Sequence, residues 1–224
     1  MQKGIVIVSG GMDSSTLAYY LEDRYPYEWH FLSFDYGQRH IKELQYAIEL
    51  AERLDAKHSV ISLVALGEML SVSGSVLVDP KSEVPEGHYA EESMKQTVVP
   101  NRNSIMLAIA TGVAVAEGAE FVAAGMHAGD HFIYPDCRPK FVDAFNTAEQ
   151  FANEGFWDGG IIAPFIEMTK ADIVKVGMAL GVPYDHTWSC YLGGAYHCGK
   201  CGTCVERKEA FEIAGFDDPT AYAE

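Results

Sequence analysis

The sequence predicts an α/β fold in three layers, a five-stranded parallel sheet between helices, with a small metal-binding segment at its C-terminal end. Three observations predict it. Five short apolar runs, at 4–8, 29–34, 60–63, 121–125 and 161–165, alternate with stretches whose apolar residues recur at helical spacing. The first run leads into a glycine turn, Ser9-Gly10-Gly11-Met12-Asp13-Ser14-Ser15, which opens directly into the helical pattern of Thr16 to Leu21. Four of the five cysteines then fall within one short segment near the C-terminus. The expected organisation is a larger domain over residues 1–185 with a segment, 186–224, packed on it.

At 224 residues the chain is long enough for one domain with a full core. Its net charge of −16 argues against the broad basic footprint of a tRNA or DNA binder, so small-molecule substrates are expected. The apolar run after Lys3 is too short for a signal peptide, and no stretch approaches the ~20 apolar residues that cross a bilayer. A cytoplasmic protein with reduced cysteines and no membrane partner is the expectation.

The glycine turn explains itself chemically. Gly10 and Gly11 reach backbone angles closed to other residues, so consecutive amides can converge on an anion. Ser14 and Ser15 add hydroxyls where the helix dipole is positive. The common P-loop needs a lysine followed by Ser or Thr after its second glycine, and none stands here. The stretch instead resembles the PP-loop of ATP pyrophosphatases, which cleave ATP between its α and β phosphates. That resemblance implies that Val8 to Ser15 (Val8, Ser9, Gly10, Gly11, Met12, Asp13, Ser14 and Ser15) hold the nucleotide, with Asp13 helping to hold Mg²⁺ on the pyrophosphate.

The second strand ends in Asp35-Tyr36-Gly37-Gln38-Arg39-His40, at the sheet edge where open α/β folds bind ligands. Asp35, Tyr36 and Gln38 are therefore candidate adenosine contacts, although Asp35 or Gln38 would equally serve as a cap. Ile41, Leu44, Ile48, Ala51 and Leu54 mark the next helix. After the third strand, residues 67–99 lose all period, which predicts a lid or binding insertion, with His88 and Tyr89 facing either a substrate or solvent. Val99-Pro100-Asn101-Arg102-Asn103-Ser104 opens a helix that is apolar nearly all round from Ile105 to Ala116, so burial on most sides is expected, with the Asn and Ser residues as caps. Arg102 stands where the helix dipole disfavours a cation, which points to an anion beside it.

The fourth strand runs into Met126-His127-Ala128-Gly129-Asp130 and then Tyr134-Pro135-Asp136-Cys137-Arg138, a second polar cluster on the ligand side of a parallel sheet. A helix over 141–155, the fifth strand, and a helix starting at Thr169-Lys170-Ala171-Asp172 follow. Cys190-x7-Cys198-x2-Cys201-x2-Cys204 offers four thiolates in a segment loosened by Gly199 and Gly202. In a reduced setting this spacing means metal, with tetrahedral Zn²⁺ ahead of an iron–sulfur cluster in a closed site that pins the chain end. His186 and His197 are expected as neighbours of that site rather than ligands.

Taken together, the glycine turn, the 35–40 and 134–138 clusters, Val99-Pro100-x-Arg102-Asn103, Thr187-Trp188-Ser189-Cys190 and His197-Cys198-Gly199-x-Cys201-Gly202-x-Cys204 resemble the 7-cyano-7-deazaguanine synthases nearly end to end. Asn101 departs from the family, which more often has Gly there. The resemblance implies an adenine-nucleotide hydrolase-like fold, a Zn²⁺ on Cys190, Cys198, Cys201 and Cys204, and commonly a homodimer. It also implies conversion of 7-carboxy-7-deazaguanine and ammonia to the nitrile with ATP and Mg²⁺, in queuosine-precursor synthesis. Asp13, Ser14, Arg102 and Lys170 are then the candidate catalytic residues, the last two as phosphate neutralisers. Asp136 is expected to accept hydrogen bonds from the guanine-like edge, and Arg138 to meet the carboxylate as a bidentate fork. Cys137 invites a nucleophilic role that the chemistry does not need, so a packed thiol is expected. The other readings are a related ligase that joins the deazapurine to another amine, and a tRNA sulfurtransferase.

Overall fold

The computed structural model describes residues 2–79, 81–88 and 92–223. The alternation of side chains along the first apolar run sets the layers, because successive residues point to opposite faces. Strand β1 (Lys3–Ile7) turns Ile5 to one core and Val6 to the other. Parallel ladders join it to β2 (Glu28–Asp35) on one side and to β4 (Phe121–Ala123) on the other. With β3 (Lys57–Ser62) and β5 (Gly160–Ile162) the sheet order is β3-β2-β1-β4-β5. The chain therefore leaves β1 toward β2 and later returns to its other side, which opens a crevice at the carboxyl end of β1.

Helices α1 (Met12–Arg24) and α2 (Glu43–Arg53) cover one face, where Leu17, Leu21, Ala47 and Leu50 pack with Val6, Val8 and Phe31. Helix α6 (Lys170–Ala179) joins them through Ile173. Its start is a full capping box, in which Thr169 and Asp172 satisfy each other's backbone amides. On the other face, Leu107, Ala110 and Ala114 of α4 (Arg102–Glu117) meet Ile5, Leu32 and Val122. Cys190, Cys201 and Cys204 belong to that same core, so the cysteine segment packs against the sheet layer.

Several elements depart from the sequence expectation for physical reasons. Strand β4 ends at Ala123; Ala124 still donates its amide to the Ile162 carbonyl at 3.1 Å, and Ala124, Gly125 and Met126 line the crevice. Helix α4 buries a single face, while Ala108, Gly112 and Ala116 are exposed, so burial on most sides does not hold. The segment Met94–Glu117 is long and apolar enough to cross a membrane by length and composition, contrary to expectation, yet here its inner face packs on the sheet. Asn101 and the serine do not cap α4; Asn101 takes φ +58°, the left-handed region where Gly is the default and Asn the best substitute. The first-turn amide of Asn103 is met by Asp136 instead, at 3.2 Å. Within residues 67–99, Val76, Leu77 and Met94 are buried in the core, whereas Val72 is exposed. In that segment His88 pairs with Glu209 at 3.0 Å, and Tyr89 lies outside the described residues. Helices α3 (Val64–Leu70), α5 (Pro139–Ala152) and α7 (Gly202–Ala214) complete the chain, and α3 and α7 carry no expectation from sequence.

Candidate active site

The crevice holds a cavity of about 260 Å³. Its floor is the glycine turn. Ser14 Oγ lies 3.2 Å from the Ser9 amide, which donates to it, and 3.2 Å from Ser9 Oγ, which in turn accepts from the Gly11 amide at 3.2 Å. The turn is thus braced before any ligand arrives. Val8, Ser9, Gly11, Met12, Asp13 and Ser14 line the cavity, whereas Gly10 and Ser15 do not. Gly10 has φ +85° and sits so close to α2 that an added Cβ would stand 2.3 Å from the Glu43 carbonyl oxygen and 2.6 Å from the Ala47 nitrogen. Its task is to let the turn dock on α2.

Two groups of side chains meet above this floor. In the first, Lys170 at the start of α6 lies 3.3 Å from Asp13 Oδ2 and hydrogen-bonds Glu206 of α7. Burial would raise the Asp13 carboxyl, but Lys170 and His127 overcome it and hold the group well below the usual carboxylate range. Burial likewise opposes charge on Lys170, yet Asp13, Glu206 and Asp130 keep the ammonium protonated. For His127, burial lowers the ring and the carboxylates of Asp130 and Asp13 lift it to about 9. The Gly129 amide donates to Nδ1 at 3.1 Å, which a doubly protonated ring could not accept. That amide is fixed by the backbone, so we read the ring as neutral, its Nε2 proton lying 3.4 Å from Asp130 and 3.7 Å from Asp13. Asp13 Oδ1 is buried without any hydrogen-bond partner, an acceptor waiting for a cation.

The second group is Tyr36, His40, Glu43, Arg102, Trp188 and Tyr191. Arg102 donates to the Tyr36 hydroxyl at 3.4 Å and forms no ion pair among the described residues. Burial lifts the Glu43 carboxyl from its ordinary 4.5 to about 8, against a Gln38 hydrogen bond and Arg102, which pull it down. Burial and Arg102 together hold His40 near 3, so its ring is neutral.

The other expected nucleotide contacts hold the turn that presents Tyr36. Gln38 accepts from the Tyr36 amide at 2.9 Å and donates to the Phe34 carbonyl at 3.0 Å, and Asp35 accepts from the Gly37 amide at 3.0 Å. Neither lines the cavity. Asp136 and Arg138 are also outside it: Asp136 is taken up by the Asn103 amide, and Arg138 is exposed and donates to the His131 carbonyl at 2.7 Å. Of the catalytic candidates, Asp13, Ser14, Arg102 and Lys170 all share the cavity. His40, Glu43, His127, Asp130, Trp188, Tyr191 and Glu206 carry no role from sequence. His40 with Glu43 at i+3, and His127 with Asp130 at i+3, are the spacing that would have signalled pairs. Glu206 gave no signal apart from the helical spacing of Arg207, Ala210, Phe211 and Ala214 on α7.

Cys137 lines the cavity, but burial and the nearby Asp130 and Asp136 push its thiol far up, so it is no thiolate at neutral pH. Asn103 Nδ2 donates to its sulfur at 3.2 Å. A Cys137→Ser variant keeps that acceptor and is expected to retain kcat within a few-fold in steady-state assays; loss of all turnover would show a covalent role. Glu43 supplies a second expectation. Its folded form keeps a proton between about 4.5 and about 8 that the unfolded chain releases, so stability falls as pH rises through that window. Urea midpoints compared near the two ends of the window should converge in Glu43→Gln relative to the parent, and an unchanged gap would contradict the burial.

The four cysteine sulfurs, Cys190, Cys198, Cys201 and Cys204, all lie within 4.8 Å of one another and could hold a metal ion. Backbone amides of Cys201, Lys200 and Cys198 donate to sulfurs at 3.2 to 3.4 Å, a setting that favours thiolate. The set fits a tetrahedral ion with ~2.3 Å metal–sulfur bonds. His197 is not one of the set; it accepts from the Ser189 amide at 3.0 Å and lies against the Trp188 ring. Thr203 donates to the Ser189 carbonyl at 2.7 Å, so the cluster holds Trp188, Ser189 and Thr203 at the cavity wall.

A family model described as queuosine biosynthesis protein QueC matches residues 3–215. A 7-cyano-7-deazaguanine synthase from Brucella anthropi is 55% identical over 220 residues, covering 98% of this chain and 93% of the relative. Another from Allorhizobium ampelinum is 55% identical over 223 residues, covering 98% and 92%. Among solved structures, the NMN synthetase of Francisella tularensis superposes with a TM-score of 0.55 at 16% identity, over 96% of this chain and 77% of that one. The tRNA thiolase NcsA of Methanococcus maripaludis gives 0.51 at 14% identity, over 95% of this chain and 65% of that one. At such identities these two likenesses show the fold alone. The match over nearly the whole length, with two relatives above half identity, establishes that this chain belongs to the QueC family of queuosine biosynthesis proteins.

Proposed function

We propose that this chain converts 7-carboxy-7-deazaguanine and ammonia to 7-cyano-7-deazaguanine with ATP, through adenylated carboxylate and amide intermediates. The observation that carries the reading is that the braced glycine turn and Lys170 share one cavity with Arg102, a half-buried guanidinium lacking a carboxylate partner among the described residues. The relatives named 7-cyano-7-deazaguanine synthase support the substrate class.

A carboxylate resists attack by ammonia, so its oxygen must first become a leaving group. Attack on the α phosphate gives an acyl-adenylate as pyrophosphate departs, and ammonia then displaces AMP to form the amide. The amide oxygen leaves in the same way after a second adenylation. One pyrophosphate site serves both steps. The amides of the glycine turn and the Lys170 ammonium neutralise the departing pyrophosphate, while Arg102 grips the substrate carboxylate in a fork. Tyr36, Trp188 and Tyr191 supply flat apolar walls for the deazapurine.

Asp13 fits a Mg²⁺ through its buried, unpaired Oδ1, and the ion would spread the charge of the phosphates. The cysteine cluster fits Zn²⁺, which would fix the wall of the cavity and take no part in chemistry. A cytoplasmic homodimer belongs to the same reading. Mass spectrometry of a reaction with ATP, an ammonium salt and the carboxylate tests the proposal. A nitrile product is expected; an amide that never dehydrates, or an adduct with another amine, would overturn it.

A further inference from the structure

The reaction proposed above releases three protons from nitrogen, one as the amide forms and two as it is dehydrated, and the phosphate-binding groups do not receive them. When ammonia attacks the acyl-adenylate, a C–N bond forms, the C–O bond to AMP breaks with its electron pair on the phosphate oxygen, and the new nitrogen must lose a proton. When the amide oxygen attacks the α phosphate of a second ATP, the bond to pyrophosphate breaks and the nitrogen, now doubly bonded to carbon, loses a second proton; when that adenylated imidate collapses, the remaining N–H bond breaks, its electrons become the third C–N bond, and AMP leaves again. Each step leaves one proton at the same place, next to the reacting carbon.

The geometry points to Glu43 as that acceptor. It lines the cavity from the first turn of α2. Its backbone is fixed against the phosphate-binding turn, because Gly10 packs directly on the Glu43 carbonyl. Its carboxylate therefore stands beside the loop where AMP is made and broken. Gln38 holds one oxygen from 3.3 Å, and His40 Nε2 lies 3.4 Å from the same oxygen. His40 also lines the cavity, is nine-tenths buried, and its Nδ1 has no hydrogen-bond partner, so it can orient the carboxyl and still meet a ligand. The charged and titratable groups around Glu43 are Tyr36 and His40 from the turn after β2 and Arg102 from α4. Arg102 is the group that grips the substrate carboxylate, so the carbon that becomes the nitrile is held between guanidinium and carboxylate.

Burial lifts this carboxyl to about 8, and a group whose pKa lies near neutrality takes and returns a proton with little loss of driving force. The acids of the other group, Asp13, Asp130 and Glu206, are already engaged by Lys170 or His127. Among the carboxylates that line the cavity, Glu43 alone stands apart from Lys170 and His127.

This inference rests on the proposed reaction, and the test separates the two. Glu43→Gln keeps the shape and the Gln38 contact while removing the acceptor. Pyrophosphate exchange into ATP with the carboxylate alone reports the first adenylation, and the conversion of supplied amide to nitrile reports the last proton loss. The expected result is exchange within a few-fold of the parent and nitrile formation lowered by roughly 10²- to 10⁴-fold. The parent rate of nitrile formation should rise with pH through about 8 and the Gln rate should not, with Glu43→Asp restoring part of the activity. Nitrile formation unchanged in Glu43→Gln, or exchange lost in equal proportion, would overturn the role of Glu43 alone. A parent chain that makes no nitrile would overturn the proposed reaction, and the role of Glu43 with it.

Discussion

Gly10→Ala is expected to lower the melting temperature by about 10 °C and to abolish turnover. The added methyl would stand 2.3 Å from the Glu43 carbonyl oxygen and 2.6 Å from the Ala47 nitrogen, both backbone atoms at the head of α2 that cannot step aside alone. The residue also holds φ +85°, which costs an L-residue about 1 to 2 kcal/mol before any overlap is counted. Relief requires the turn to lift off α2, so about 3 kcal/mol or more is expected in all, at roughly 2–4 °C per kcal/mol for a chain of this size. The consequence for function follows from place: the same movement pulls Ser9, Gly11 and Ser14 out of the braced arrangement and away from Glu43 on α2. Gly155→Ala is the control. It has φ +79° with no atom within 4 Å of the added Cβ, so only the backbone cost of about 1 kcal/mol applies. Calorimetry on both variants checks the difference, and equal shifts would show that the contact with α2 is not what matters.

Cys201→Ala is expected to empty the cysteine cluster and cost several kcal/mol, although no sulfur of the cluster lines the cavity. Cys201 is fully buried at the N-terminal cap of α7. That helix carries Thr203 to the cavity wall and Glu206 to Lys170. It also carries Arg207, a buried cation that donates to the Tyr184 carbonyl, Thr187 and Asp218 at 2.7 to 3.2 Å. Freeing the end of α7 leaves Lys170 with one carboxylate partner fewer and loosens Trp188. The variant should contain less than one metal ion per chain by elemental analysis, melt at the temperature of the chelated parent, and lose turnover while binding ATP weakly. Full metal content and parent-like melting would contradict a cluster that holds this wall together.

How far the sequence disclosed these features depended on whether the signal was local. The strand–turn–helix around Gly10 and Gly11 was legible because its chemistry lies in seven consecutive residues, and so was the cysteine spacing. The five-stranded parallel sheet was legible from apolar runs, which such a sheet buries on both faces, while the order of its strands was not. Asp35, Gln38, Asp136 and Arg138 show the limit. Each stands at the carboxyl end of a strand or in a polar cluster, where sequence cannot distinguish a side chain that meets a ligand from one that closes a turn. Asp136 is spent on an amide 33 positions away that the missing cap at Asn101 left open. Glu43, His127 and Glu206 were invisible for the converse reason: each gains its meaning from partners on other elements, such as Glu206 on α7 meeting Lys170 on α6. Helix α4 misled because small residues make an apolar sequence that suits an exposed face as well as a buried one.

The central claim is that the cavity directs a substrate oxygen to the α phosphate while the glycine turn holds the pyrophosphate. Carboxylate labelled with oxygen-18 on both atoms, turned over with ATP and ammonium, tests it most directly. Phosphorus NMR and mass spectrometry should find the label in AMP, with unlabelled pyrophosphate as the other product. ADP with the label in orthophosphate would contradict the account, because the turn would then be holding the wrong end of the nucleotide.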